Sequence, residues 1–194
     1  MIKMKKRAIL LLLLGISCII YPYMMHQKQE KEMKQLQAAL EDIQETGKKN
    51  GEVNHLNSSL SLDEDDLYNT VKLYIPTIEL NAPVLPKTTE EYLNIALTQI
   101  KKNQVPGQGN FTIAGHNSAV YGRHFNRLHE LNIGDEIQLI DGEKVFIYQV
   151  DSKRVIDPSE VDVLNDTPGK NEITLITCTV TGTKRLAVKG YRIS

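Results

Sequence analysis

From Leu67 to the C-terminus the apolar residues fall in short runs broken by Gly, Pro, Asn and Asp, and that punctuation admits little except a β-rich fold. "VKLYIP" (71–76) alternates and stops at Pro76, while "IEL" and "PVL" are short extended pieces separated by Asn81. "GNFTIAGHN" (109–117) reads as an apolar strand between glycines. "EIQLI" and "KVFIYQVDSKRV" flank Asp141-Gly142, a dipeptide suited to a two-residue hairpin turn. "EITLITC" and "RLAVKGYRI" close the chain as two strands. "KTTEEYLNIALTQI" reads as a helix, with Thr88 and Glu91 at capping-box spacing. A helical turn is expected around Phe125 to Leu131, and "DPSEVDVLND" as a loop or short helix. About eight strands with few helices predict a mostly β fold, a closed or nearly closed β-barrel.

The N-terminal third follows other rules. Lys3, Lys5, Lys6 and Arg7 precede an uncharged run from Ala8 to Met25, about 18 residues and near the minimum for a membrane-spanning helix. The run ends in "IIYPYMMH", with bulky residues and no small-x-small cleavage site, which favours an uncleaved signal-anchor over a cleaved signal peptide. Tyr21 and Tyr23 suit an interfacial belt, and the basic flank places the N-terminus inside and everything after residue 26 outside. Residues 27–66 then read as stalk and linker. Met33, Leu36, Leu40 and Ile43 recur at helical spacing, as a solvated stalk helix or a weak coiled-coil contact with a partner. The expected organisation is therefore 1–26 flank and anchor, 27–66 stalk helix and linker, and 67–194 the folded domain. A formal net charge of -1 gives no electrostatic case for nucleic acid.

The two cysteines narrow the chemistry. Cys18 lies in the apolar run, so a disulfide to Cys178 would need one sulfur in the bilayer and one outside it. Cys178 is thus read as a free thiol at a strand end, either a buried core residue or a nucleophile. A nucleophilic cysteine needs a partner that handles its proton. His26 and His55 fall in the membrane flank and the linker, and His124 and His129 in a polar, surface-like stretch. His116 follows the strand "FTIAG" among the small residues Ala114, Gly115, Asn117 and Ser118, which leave room for a substrate backbone. Arg185, seven residues after Cys178 across a turn with Gly182, sits where a tight hairpin brings a guanidinium near the thiol to stabilise an oxyanion; a surface arginine is the plain alternative.

At this point the residues resemble a known family. "TLITC" is similar to the TLxTC signature of sortases, and "AGHN" upstream and the arginine of "KRLAVKG" downstream complete the family's His, Cys and Arg in order. "LYIPTIELNAPVL", "YGRHFNRLHELNIGD" and "VDVLNDTPGKNEITLITC" extend the resemblance over about residues 70 to 193. It implies an eight-stranded sortase β-barrel behind a transmembrane helix and helical stalk. The implied activity is cysteine transpeptidation: cleavage of an LPxTG-like cell-wall sorting signal between Thr and Gly through a thioacyl intermediate. The implied partners are secreted proteins bearing a C-terminal sorting signal and an amine of a peptidoglycan precursor. Cys178 would attack the threonine carbonyl, His116 would protonate the leaving amine and deprotonate the incoming one, and Arg185 would hold substrate and oxyanion.

The resemblance also places Ala114, Val161, Val163, Leu164 and Ile176 in the sorting-signal groove, with barrel core as their plain alternative. Thr177 would hydrogen-bond substrate or fix the thiol. Where some relatives carry calcium-binding carboxylates, this chain reads "QIKKNQVPGQGN", so no metal and no cofactor are expected. The short "TVTG" connection and "YGRHFNRL" lean toward a class D-like enzyme over class A. Two other readings stand beside this one. A membrane-tethered β-domain that binds a wall or protein partner would keep Cys178 inert. A peptidoglycan L,D-transpeptidase would need a His close to its Cys in sequence, which this chain lacks.

Overall fold

Alternation decides which side of each strand is buried. In β1 (Val71–Ile75), Val71, Leu73 and Ile75 are buried, while Lys72 and Tyr74 are exposed. The computed structural model describes residues 2–46 and 64–194. The remaining strands are β2 (Leu80–Leu85), β3 (Leu97–Gln99), β4 (Asn110–Ala114), β5 (Glu136–Asp141), β6 (Lys144–Ile156), β7 (Glu172–Cys178) and β8 (Arg185–Arg192). They form a closed barrel in the order β1-β2-β3-β4-β7-β8-β6-β5, with β1 pairing β5 to complete the ring. Two neighbours run parallel, β2 with β3 and β4 with β7; the other pairs are antiparallel. Closure leaves no sheet edge to protect.

Leu73, Ile75, Phe111, Ile113, Ile137, Leu139, Ile173, Leu175 and Val188 fill the interior, a mostly aliphatic core as a chain without tryptophan requires. Tyr148 is fully buried with its hydroxyl accepting from the Gly107 amide at 3.0 Å. Burial raises its phenol pKa, opposed by that amide. The β5–β6 hairpin turns at Asp141–Lys144, as the Asp141-Gly142 signal predicts.

Several local readings change. "IEL" and "PVL" belong to one strand, because Asn81 points outward opposite Tyr74 and interrupts nothing. The predicted helix over "KTTEEYLNIALTQI" shortens to α3 (Glu90–Ile95), and its cap is Thr89, whose hydroxyl accepts from the Tyr92 amide. Thr88 instead bonds Thr98 and the Gln99 carbonyl. Leu97, Thr98 and Gln99 are buried between β2 and β4, and that burial outweighs helical periodicity. The turns at Leu128–Glu130 and Val161–Leu164 are 3-10 helices.

α1 is one helix from Ile2 to Thr46 with Pro22 inside it. Leu12, Leu13, Leu14, Ile16 and Ile20 stand exposed along it. Among the described residues no helix is long and apolar enough to cross a membrane, and the side chains of residues 8–11 and 19 of the apolar run lie outside them. The solvated reading of the stalk stripe is corrected at Leu36. This residue is fully buried among Leu67, Leu85, Tyr92, Ile95 and Ala96, with Leu40 packed alongside. The side chain of Ile43 and the linker residues 50–63 lie outside what the structure describes. Further along, α2 (Glu64–Tyr68) leads into β1.

Replacing Leu36 by Asp puts a carboxylate in that apolar cluster and is expected to release α1 while sparing the barrel. Trypsin should cut at Lys28, Lys31 or Lys34 roughly tenfold faster than in the parent, because cleavage follows local opening. Limited proteolysis followed by mass spectrometry checks this; unchanged cleavage would contradict the docking.

Candidate active site

The site forms where β4 and β7 end together. Their parallel register runs from Asn110↔Glu172 to Ala114↔Ile176. One further ladder bond joins the Gly115 amide to the Ile176 carbonyl at 3.1 Å. Continuing that register by two residues brings His116 level with Cys178. Gly115 has a packing reason to lack a side chain: an added Cβ would lie 2.5 Å from Leu97 Cδ2 and 2.7 Å from Phe125 Cδ2. The Phe125 amide then donates to the His116 carbonyl at 3.0 Å, and Asn117 pairs with His124 as an isolated bridge. These bonds close the intervening residues into an arch over the end of the barrel.

Strand alternation assigns the faces. Ile173 and Leu175 lie in the barrel core, so Thr177 also faces inward, and Thr174, Ile176 and Cys178 face outward. Cys178 pairs directly with Arg185 across the β7–β8 hairpin. The Thr179 amide donates to the Lys184 carbonyl, one residue further out on each strand. That bond marks Cys178 and Arg185 as a non-hydrogen-bonded pair, the closer of the two antiparallel spacings. Both residues are half-buried, and His116 is exposed. The Arg185 guanidinium donates through Nη1 to the carbonyls of Gly182 and Lys184, both at 3.2 Å. It is held over the β7–β8 turn.

The outward floor beside Cys178 is apolar. Ile176 packs with Ile156, Val163, Leu164 and Ala187, and Ala114 lies level with Ile176 on the neighbouring strand. Val161 is 64% exposed on the turn above. Of the predicted groove residues, Val163, Leu164 and Ile176 pack in one cluster, Ala114 lies on the strand beside it, and Val161 stands exposed on the turn. Asn110 ties that turn down: its side-chain nitrogen donates to the Val163 and Asn165 carbonyls, each at 3.1 Å, and its oxygen accepts from the Thr174 hydroxyl at 2.7 Å. Sequence reading passed over this buried asparagine, whose one signal is a polar residue in an apolar strand. Thr177 departs from its predicted setting. Its hydroxyl is buried on the inner face without a hydrogen-bond partner, turned away from the thiol.

His124 corrects the surface reading of its segment. It is 9% exposed, with a positive φ of 51°, and its ring stands edge-on to that of His116 at 6.4 Å. Its Nε2 accepts from Arg123 Nε at 3.2 Å. Burial chiefly, with the nearby charges of Arg123 and His116, lowers its pKa to about 4, against a weaker opposing hydrogen bond to the Asn94 backbone. His124 is thus neutral beside the exposed histidine. His129 stays exposed, its Nδ1 within 3.0 Å of the Asn126 carbonyl. Among the described residues no group of three or more His, Cys, Asp or Glu side chains converges on a metal position. A half-buried thiol, an imidazole level with it and a guanidinium across the hairpin can together carry out acyl transfer.

A family model described as "Sortase domain" matches residues 73–193. A sortase A of Bacillus anthracis is 37% identical over 135 residues, which is 69% of this chain and 63% of that protein's length. Over three such relatives the matched stretch spans 44% to 63% of their own lengths. The structure of Listeria monocytogenes sortase A superposes with a TM-score of 0.61 at 32% identity, covering 64% of this chain and 86% of that one. A Clostridium perfringens sortase D5 transpeptidase shares the fold at 24% identity, with a TM-score of 0.63 over 87% of this chain and 99% of that one.

The neutral burial of His124 carries a pH signature. Its folded-state pKa is depressed, so as pH falls the unfolded chain takes up the proton first. Its contribution is fully present above about pH 6.5 and is lost as pH falls to about 4. The loss approaches about 3 kcal/mol at its limit. His124→Asn tolerates the positive φ and cannot titrate, though its shorter side chain gives up the hydrogen bond from Arg123. Urea unfolding of both proteins across pH 4 to 7 should show a shallower pH dependence in the variant; parallel curves would contradict this account.

Proposed function

This chain belongs to the sortase family, and we propose that it is a cysteine transpeptidase acting on LPxTG-type sorting signals. What supports the reading is the strand register, which continued past β4 sets His116 level with Cys178, with Arg185 paired to Cys178 across the hairpin and an apolar cluster beside them.

In this reading the sorting signal lies extended along Ala114, Ile176, Val161, Val163 and Leu164, and its Thr–Gly bond reaches Cys178. The Cys178 sulfur attacks the threonine carbonyl carbon. The developing oxyanion takes hydrogen bonds from Arg185 once its guanidinium leaves the turn carbonyls. As the tetrahedral intermediate collapses, the C–N bond breaks and the imidazolium of His116 gives its proton to the leaving glycine amine. A thioester on Cys178 remains. An incoming amine of a peptidoglycan precursor attacks it, His116 takes the amine's proton, and the thiolate leaves. Thr177, facing inward, serves by setting the backbone of Cys178 rather than by touching substrate.

Placement at the cell surface is part of the proposal. The apolar run Ala8–Met25, behind a basic flank, serves as a single-pass anchor with its N-terminus inside and residues 67–194 outside. The substrates are then secreted proteins with a C-terminal sorting signal.

Arg185 tests the roles separately from the thiol. Arg185→Ala should reduce kcat/KM for a quenched LPxTG-type peptide by about a hundredfold or more, the usual cost of a lost oxyanion donor. Arg185→Lys should recover only part of that, because a point charge lacks the planar fork. Steady-state kinetics on the full-length protein in detergent checks both. Wild-type rates in Arg185→Ala would remove the guanidinium from the mechanism.

A further inference from the structure

The β4–β7 ladder ends unevenly. In its regular part the amide of a β4 residue donates to the carbonyl of the β7 residue level with its predecessor: Gly115 to Ile176 at 3.1 Å is the last such bond. The next regular donor would be the backbone amide of residue 117, and its acceptor the carbonyl of Cys178. That acceptor is instead taken by the side chain of Asn117, whose Nδ2 donates to the Cys178 carbonyl at 2.9 Å. The side chain thus continues the ladder by one bond after the backbone has left the sheet. Departure of the backbone turns His116 outward to solvent and lets Asn117 bridge to His124.

We propose that Asn117 is a positioning residue that locks the carbonyl of Cys178 to the His116 arch and so fixes the spacing of thiol and imidazole. The inference rests on the transpeptidase reading. Asn117 holds the backbone of Cys178 and adds no side chain to the apolar cluster of Ile156, Val163, Leu164 and Ile176, so its loss is expected in the chemical step rather than in peptide affinity. Serine at this position falls short of the carbonyl. Aspartate has the right length, but as a carboxylate it offers only acceptors to an acceptor. Protonated, it regains one O–H donor. The titratable and charged groups around this end are His116, His124 and Arg123 of the arch, Cys178 of β7 and Arg185 of β8.

The test measures kcat and KM of the full-length protein in detergent for one quenched LPxTG-type peptide, from pH 4.5 to 8, as ratios to the parent at each pH. Asn117→Ala is expected to lower kcat about tenfold with KM within about twofold, at all pH values, since small misplacement of reacting groups acts on the rate. Asn117→Asp should match that loss at pH 8 and recover toward the parent as pH falls and its carboxyl protonates. Thermal melting of each variant establishes that the barrel is intact. The proposal is overturned if Asn117→Ala keeps the parental kcat, if its loss lies in KM, or if Asn117→Asp keeps the parental kcat at pH 8, where its carboxylate offers no donor. A parent without activity toward any peptide would defeat the transpeptidase reading instead. In that case the rate of Cys178 alkylation by iodoacetamide still decides: it should differ between parent and Asn117→Ala, and equal rates count against the clamp.

Discussion

Five consecutive residue pairs between β4 and β7 hold the molecule together and aim its chemistry. The two strands lie about sixty residues apart in the chain, and a parallel pairing between them cannot be made by a hairpin. Once it forms, one side of the pair closes the barrel core through Phe111, Ile113, Ile173 and Leu175. The other side lays Ala114 and Ile176 next to one another as a floor outside the barrel. The same register brings the chain just past β4 level with the last residue of β7. A one-residue slip would turn every side chain to the wrong face, moving Cys178 into the barrel and Thr177 out to the groove. Core packing and the meeting of His116 with Cys178 are therefore one constraint, enforced by buried aliphatic side chains.

The hairpin between β7 and β8 adds the third group by the same logic. Cys178 and Arg185 share a face because cross-strand partners must, while the guanidinium itself rests on the carbonyls of the turn. Polar residues then fix what the ladders leave loose. Asn110 fastens the groove wall to β4 and β7, Asn117 fastens the arch to Cys178, and His124 stands neutral behind His116. Arg123 lies behind that, its guanidinium pKa lowered chiefly by burial while Glu30 of α1 opposes the shift.

Much of this was legible in the sequence because strand alternation and turn residues are local signals. The barrel, the β5–β6 hairpin and the positions of His116, Cys178 and Arg185 at strand ends all follow from patterns a few residues long. The features that were misread depend on distant partners. Leu97–Gln99 continues a helical pattern and becomes a strand only because β2 and β4 enclose it. Leu36 looks like one position of a narrow surface stripe until α3 and β2 supply its cover. His124 sits in a polar segment, yet the arch folds it inward, and no composition rule distinguishes it from His129. Thr177 belongs to a recognisable motif, but its inward orientation follows from counting the pleat from Leu175.

The central claim is that Cys178 receives an acyl group from a sorting signal and passes it to an amine. The direct measurement is mass spectrometry of the intact full-length protein after rapid mixing with an LPxTG-type peptide, followed by peptide mapping. The account predicts a mass increase equal to the peptide fragment ending at threonine, located on Cys178, absent in Cys178→Ala, and discharged faster when a primary amine is added. A folded protein with an alkylatable Cys178 that never carries such an adduct, whatever the peptide offered, would contradict it.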